Sequence, residues 1–481
     1  MDTREKFREQ RKIKGYYGYL YDQYEEMINN NEREEYNEDI MGVPGKPKFE
    51  FVDAHDFTSF LEYHAETKKR KLADYRKFAY SCLQCRVCNN ITCFRQTSAK
   101  YGLVCPSGDR FRYDNYFGHG KNQMARALLE GELSLQVPPA EPLKPIFEPT
   151  ESFLHAIYTC TLCGGCEAQC KIQKLLEPMH ITVAMREWLV EQGLGPLPEH
   201  LRLFKHMENY DNPWGAPRAS RNRWIPKGFN VKDLSKKGKD TAEVLYYVGC
   251  TEAMVGEMQK VAATSASNMK AAGVDYGVLG MDEVCCGSTM LRIGDRKGFD
   301  KFKDRNLDIF DRLISERGVK KIVTACAGCY SVLKEEYSEY LDCEIYHIVE
   351  FLDQLISEGK LKPKKKVQMN VTYHDPCHLA RYCGVYDAPR NILKAIPGVK
   401  LVEMERIKED AYCCGAGGGA KTAFPEFAIG AARKRLEEAK ETTGCDTVVS
   451  ACPFCEQNLG DASKSVGMNV IDVNELLAKS L

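Results

Sequence analysis

No stretch of this chain approaches the ~20 consecutive apolar residues that a bilayer-spanning helix needs, so no transmembrane segment is expected. The opening residues, MDTREKFREQRKIK, lack the apolar core of a signal peptide. A cytoplasmic location follows as the expectation, with any membrane attachment made peripherally through a partner. An excess of one charge is missing too. With 67 basic and 68 acidic residues the net charge is −1, which gives no electrostatic basis for binding nucleic acid or an acidic membrane surface. No GxGxxG turn with its downstream acid is evident, nor a Walker loop. GAGGGA (415–420) directly follows a cysteine pair and reads as part of that loop. Neither flavin nor nicotinamide is therefore expected on this chain.

What the chain does have is cysteine, 22 in 481 residues. In a reducing compartment that many thiols argue for metal rather than disulfides. They fall in four groups, at 82–105, 160–170, 250–329 and 377–455. Cys343, Cys383 and Cys445 stand outside any motif and read as small buried hydrophobes.

The length suits roughly three domains, and the patterning divides the chain further. Residues 1–75 form a charged, aromatic-rich extension. Its helically spaced stripe from Ile13 to Ile28 packs on its own domain or docks a partner. Residues 76–195 hold the first two cysteine groups, with a Pro-rich connector (137–145) between them. A polar linker is expected over 196–240.

The rest, 241–362 and 363–481, is an internal duplication. Cys250 to Cys377 is 127 positions, Cys285 to Cys413 is 128, and Cys326 to Cys452 is 126. Each copy reads strand, helix, strand, Cys-Cys-Gly, long helix, strand, CxxC, helix. In the second these are VQMNVTYH, APRNILKAI, VKLVEM, CCGAGGG, FAIGAARKRLEEAKE and DTVVSACPFC. The fold class expected is α+β: a helical, ferredoxin-like di-cluster domain followed by two α/β domains with largely parallel sheets. The CxxC pairs follow strands and precede helices, where open α/β sheets place ligands.

Cys82-x2-Cys85-x2-Cys88 and Cys160-x2-Cys163-x2-Cys166-x3-Cys170 each bring three thiolates together, as a cubane iron–sulfur cluster requires. In two-cluster ferredoxins the fourth cysteine of each run serves the other cluster. That gives Cys82, Cys85, Cys88 and Cys170 to one cubane, and Cys160, Cys163, Cys166 with Cys93 or Cys105 to the other. Cys93 is preferred, because PSGDR (106–110) looks like the loop that follows such a run in related proteins. Structural zinc pairs two CxxC knuckles and accounts poorly for two triplets.

The duplicated half supplies Cys250, Cys285, Cys286, Cys326 and Cys329, then Cys377, Cys413, Cys414, Cys452 and Cys455. Five thiols exceed what a cubane or a zinc site uses. Adjacent cysteines can instead flank neighbouring irons of an extended cluster, with Gly287 and Gly415 permitting positive φ and close approach.

YHDPCHLARYCGVYDAPR (373–390), AYCCGAGGGA (411–420) and SACPFCEQN (450–458), with YYVGC, EVCCGS and TACAGCY in the first copy, resemble the heterodisulfide reductase family of CCG-domain proteins. The resemblance covers about residues 76–481 and is to the D-type layout, with ferredoxin and CCG modules in one chain. It implies two cubane [4Fe-4S] clusters, a noncubane [4Fe-4S] cluster on each set of five cysteines, and disulfide/thiol redox chemistry at those ten catalytic ligands. It also implies redox partners: a flavoprotein, a cytochrome-like membrane subunit, or a hydrogenase or reductase subunit. A second expectation is an electron relay in a flavin-based or class II benzoyl-CoA-type reductase complex, and a third is a zinc-stabilised interaction module. His374, His378, Arg381 and Arg390 could hold an anionic substrate, as could Arg292 and Lys421. Local ion pairs with residues such as Asp375 and Asp387 are the preferred reading.

Overall fold

The computed structural model describes residues 71–91, 98–130, 151–170 and 177–481. The aromatic stripe of residues 13–28, the Pro-rich connector and Cys93 lie outside them.

The first cysteine-bearing region is helical. Helices Gly118–Glu130 and Pro178–Glu191 pack against each other. Short turns and the helices Pro106–Phe111, Glu151–Tyr158 and Gly165–Gln169 surround them. The only β pairing among its described residues is an antiparallel bridge between Asn90 and Leu103.

The duplicated half forms two all-parallel sheets. The first contains β1 (Lys232–Asp233), β2 (Val244–Tyr246), β3 (Tyr276–Val278), β4 (Lys321–Thr324) and β5 (Glu344–His347), in the order β1-β3-β2-β4-β5. The second contains β6 (Met369–Tyr373), β7 (Val399–Leu401), β8 (Thr447–Ser450) and β9 (Asn469–Asp472), in the order β7-β6-β8-β9. Apart from β1 the two orders are the same, so the cysteine spacing reports a repeated fold. Buried on both faces, central strands read as apolar runs rather than alternations; all four residues of β8, TVVS, are buried.

β1 comes from the span read as linker, which also forms helix Pro198–Tyr210. Lys232 and Asp233 pair with Gly277 and Val278, extending the first sheet at its edge. The strand is exposed and only two residues long, too short to show any periodicity. Each repeat closes on a capped helix. His347 accepts from Val349 N at the start of Ile348–Ser357, and Asp472 accepts from Asn474 N at the start of Val473–Ala478. Such a cap contributes about 1 kcal/mol. No helix among the described residues is long and apolar enough to cross a membrane.

Candidate metal centres

Parallel strands feeding helices fix where the repeat cysteines stand. Cys250 opens the helix after β2 and Cys377 the helix after β6. Cys326 and Cys452 are N-cap residues of the helices after β4 and β8. All four lie beyond the carboxyl ends of central strands, where backbone N–H groups favour an anion. The Cys-Cys-Gly loops then close over them. Tyr337 Oη and Asn306 Nδ2 donate to the carbonyls of Cys286 and Cys285, at 2.9 Å each, and Asn458 Nδ2 donates to that of Cys414 at 2.7 Å.

Within each repeat the five thiols meet. Cys285 contacts Cys250 and Cys286, and Cys286 contacts Cys329. In the second repeat Cys413 contacts Cys377, while the Sγ atoms of Cys414 and Cys455 are 3.4 Å apart. The second cysteine of each pair, Cys286 or Cys414, is held well below the usual thiol range by the two thiols donating to it. A set that stabilises a buried thiolate suits a metal cluster, which binds sulfur deprotonated.

Gly287 and Gly415 are required, with φ of 81° and 94°. A Cβ at Gly415 would stand 2.6 Å from the Ala431 Cβ and 2.7 Å from the Ala428 carbonyl. Gly415→Ala should cost about 2–4 kcal/mol from left-handed strain plus overpacking, read as a lowered denaturation midpoint. The further glycines of the second loop have another cause. Cβ atoms at Gly417 and Gly418 would fall 2.5 and 2.8 Å from the carbonyls of Thr161 and Cys160, so here the second repeat presses on the helical module.

Two cavities in that module complete the inventory. One is lined by Cys82, Cys85, Cys88 and Cys170 with His119, whose Nδ1 lies 3.8 Å from Cys88 Sγ. The other is lined by Cys105, Cys160, Cys163 and Cys166. Burial pushes the Cys88 and Cys105 thiols up to about 12. Cys105 thus lines one cavity with the second triplet, while Cys93 lies outside the described residues. PSGDR is not a loop: Pro106–Phe111 is a helix with Cys105 as its N-cap and Pro106 at its first position.

The four sets adjoin one another. Cys88 and Cys166 are electrostatic neighbours, Cys163 contacts Cys413, and Cys326 of the first repeat contacts Cys452 of the second.

The basic residues flagged from sequence are mostly committed locally. Arg390 makes a bidentate pair with the buried Asp375 at 2.7 and 2.9 Å and a further bond to Glu403. Asp387 pairs with Lys408 instead. Arg292 pairs with Glu335 and lies over the Tyr382 ring, and Lys421 pairs with Asp461. Arg381 donates to the carbonyls of Glu409, Cys163 and Ala411. His374 differs: a ring nitrogen lies within 4.8 Å of Cys414 and Cys455 Sγ. Its Nδ1 accepts from Arg435 Nε at 3.2 Å, so Nε2 carries the proton and can donate to sulfur. His378 Nδ1 would lie 3.7 Å from a Cβ at Gly328, and burial holds its pKa down at about 3, leaving the ring neutral. Cys445 is buried, and Cys343 and Cys383 pack partly buried against the core.

Three residues at the centres carry no sequence signal. Arg221 Nη2 approaches Cys250 Sγ at 3.4 Å while Nη1 pairs with buried Glu283 at 2.6 Å. Tyr382 Oη donates to the Leu162 carbonyl at 2.5 Å, tying the second repeat to the helical module. Arg186, wholly buried, donates to the carbonyls of Ile157, Cys160, Arg292 and Gly418, each at 2.7 Å.

Residues 244–334 and 371–460 match the family model described as a cysteine-rich CCG domain. The chain is similar to the D-type component of the dihydromethanophenazine:CoB–CoM heterodisulfide reductase of Methanosarcina mazei, 38% identical over 337 residues, 69% of this chain and 79% of that protein. Its counterpart in Methanosarcina barkeri is 33% identical over 409 residues, 83% of this chain and 93% of that one. The EtfAB:quinone oxidoreductase of Syntrophomonas wolfei is 35% identical over 340 residues, 68% of this chain and 46% of that protein.

Proposed function

The chain belongs to the D-type heterodisulfide reductase family of iron–sulfur oxidoreductase components, and from that membership we propose that its four cysteine sets hold four clusters serving disulfide/thiol exchange. Cys82, Cys85, Cys88 and Cys170 would hold one cubane, and Cys105, Cys160, Cys163 and Cys166 the other. Each set of five, Cys250, Cys285, Cys286, Cys326, Cys329 and Cys377, Cys413, Cys414, Cys452, Cys455, would hold a noncubane cluster. The residues fit: thiols converge in fours and fives, and neighbouring thiols hold Cys286 in the first five, and Cys414 and Cys452 in the second, below the usual thiol range. When bound, such clusters supply one-electron transfer and iron able to take up a thiolate sulfur.

One observation carries the reading, the contact between Cys326 and Cys452. It sets the two five-thiol sites side by side at the boundary of the repeats. Splitting a disulfide breaks one S–S bond, takes two electrons and two protons, and yields two thiols. Adjacent sites can receive one sulfur each. Around that boundary Arg292 and Tyr382 form a stacked wall, and a ring nitrogen of His374 lies within 4.8 Å of the sulfurs of Cys414 and Cys455. Electrons come from a partner, a flavoprotein, a cytochrome-like membrane subunit or a hydrogenase or reductase subunit, for which partly exposed Cys82 and Cys85 are the accessible end.

Anaerobically prepared protein should reduce an organic disulfide with a reduced dye, and adding a thiol to the oxidised protein should change its electron paramagnetic resonance. Absence of both, over several disulfides, contradicts the reading. It also predicts that Cys105→Ala loses about four irons while Cys93→Ala loses none, counted against protein.

The similarity to an EtfAB:quinone oxidoreductase favours a second reading, in which the sites pass electrons onward and meet no disulfide. Co-purification with a flavoprotein and unchanged spectra on adding thiols would support it.

A further inference from the structure

Buried cations normally stand beside carboxylates, because an uncompensated charge in a protein interior is costly. At the junction between the second cavity and the second repeat two guanidiniums, one wholly and one partly buried, do not. Arg186 is fully buried and makes all four of its hydrogen bonds to carbonyls; its Nε has no partner. Arg381 likewise bonds only carbonyls, those of Glu409, Cys163 and Ala411. Among the described residues neither lies within ion-pair distance of a carboxylate. The groups that they would stabilise as anions are Cys160, Tyr158 and Tyr382 for Arg186, and Cys163, Cys377, Cys413 and Tyr386 for Arg381.

The duplication supplies a control. Arg381 stands four residues after Cys377, and the residue four after Cys250 in the first repeat is Met254. The guanidinium that does reach the first repeat's sulfur, Arg221, is neutralised by Glu283 at 2.6 Å, itself buried. The two repeats are thus alike in fold and unlike in charge.

We propose that Arg381, backed by Arg186, is a positioning residue that supplies uncompensated positive charge to the second repeat, so that its site is reduced before the site of the first. This rests on both repeats holding clusters. Reduction adds negative charge, and a nearby cation stabilises it, so the potential there rises. The carbonyl bonds also fix the backbones of Cys163 and Ala411 relative to each other, holding the two sulfur sets together. The second repeat would then store the first electron next to the helical module, and the first repeat, beyond the Cys326–Cys452 contact, would be reduced second.

The experiment is a redox titration of the full chain, prepared anaerobically and followed by electron paramagnetic resonance. Signals are assigned with Cys250→Ser and Cys414→Ser proteins. In the unmodified protein the second-repeat signal should appear at the higher potential. Arg381→Gln should lower its reduced-to-oxidised ratio at fixed potential by about tenfold or more, ~59 mV per tenfold for one electron. Arg381→Lys should keep most of the charge effect, and the first-repeat signal should stay in place. Equal potentials of the two repeats in the unmodified protein would overturn the proposal, whether or not the variants fold. So would equal shifts for the Gln and Lys proteins, which would show that the hydrogen bonds matter and the charge does not. Unmodified protein carrying no iron in either repeat would instead refute the cluster reading itself.

Discussion

The Cys452→Ala protein is expected to lose about four irons and all disulfide turnover, while both cubane signals persist. Cys452 is the second-repeat thiol that meets the first repeat, through Cys326. Its own thiol is held well below the usual range by hydrogen bonds from Cys326 and Cys455, although burial opposes this. Removing it takes away a ligand and opens the boundary at which two sulfurs must be received. The helical module should be unaffected, because its cavities are lined by other cysteines. Iron analysis, spectra and dye-linked turnover on one preparation separate the outcomes. A protein that kept its iron but lost turnover would make Cys452 a substrate-contacting thiol rather than a ligand.

Arg186→Met is expected to be among the most destabilising changes away from the cysteines. It strips four carbonyls of their donor, three buried and that of Cys160 partly so, two in the helical module and one in each repeat. Each buried polar group left unpaired costs about 1–3 kcal/mol. Even with partial relaxation, a loss of about 4 kcal/mol or more is expected. Arg186→Lys should recover only part of it, since one ammonium cannot serve four carbonyls around a planar fork. Urea denaturation checks this, with limited proteolysis to show whether the helical module detaches first. A midpoint shift no larger than that of Arg296→Met, a partly buried arginine paired with Glu187 and Glu336, would refute the role as a common anchor.

Much of this was legible in the residues. The near-constant offsets between cysteines announced a repeated fold, and both sheets follow the same strand order. The β-branched runs before each CxxC placed those thiols at strand ends. Reading PSGDR as a loop overlooked that a proline after Cys105 is equally the signature of a helix start. The difference between the loops was also in plain view. CCGAGGG carries glycines because the helical module's backbone presses on it, while CCGSTM begins a helix at Ser288. What no pattern could show were contacts between distant segments. Arg186 lies mid-helix like any other arginine, and Tyr382 reaches a carbonyl 220 positions away. Arg381 and Arg390, flanking one cysteine in one motif, went to carbonyls and to carboxylates, a distinction set by tertiary neighbours alone.

The most direct test is iron and acid-labile sulfide per chain in anaerobically isolated protein, with Mössbauer spectra to distinguish cubane from other iron. If five thiols in each repeat grip a cluster of their own, about sixteen irons should be found, half of them outside cubane environments. About eight irons, all cubane, or zinc in place of iron at the paired cysteines, would contradict it.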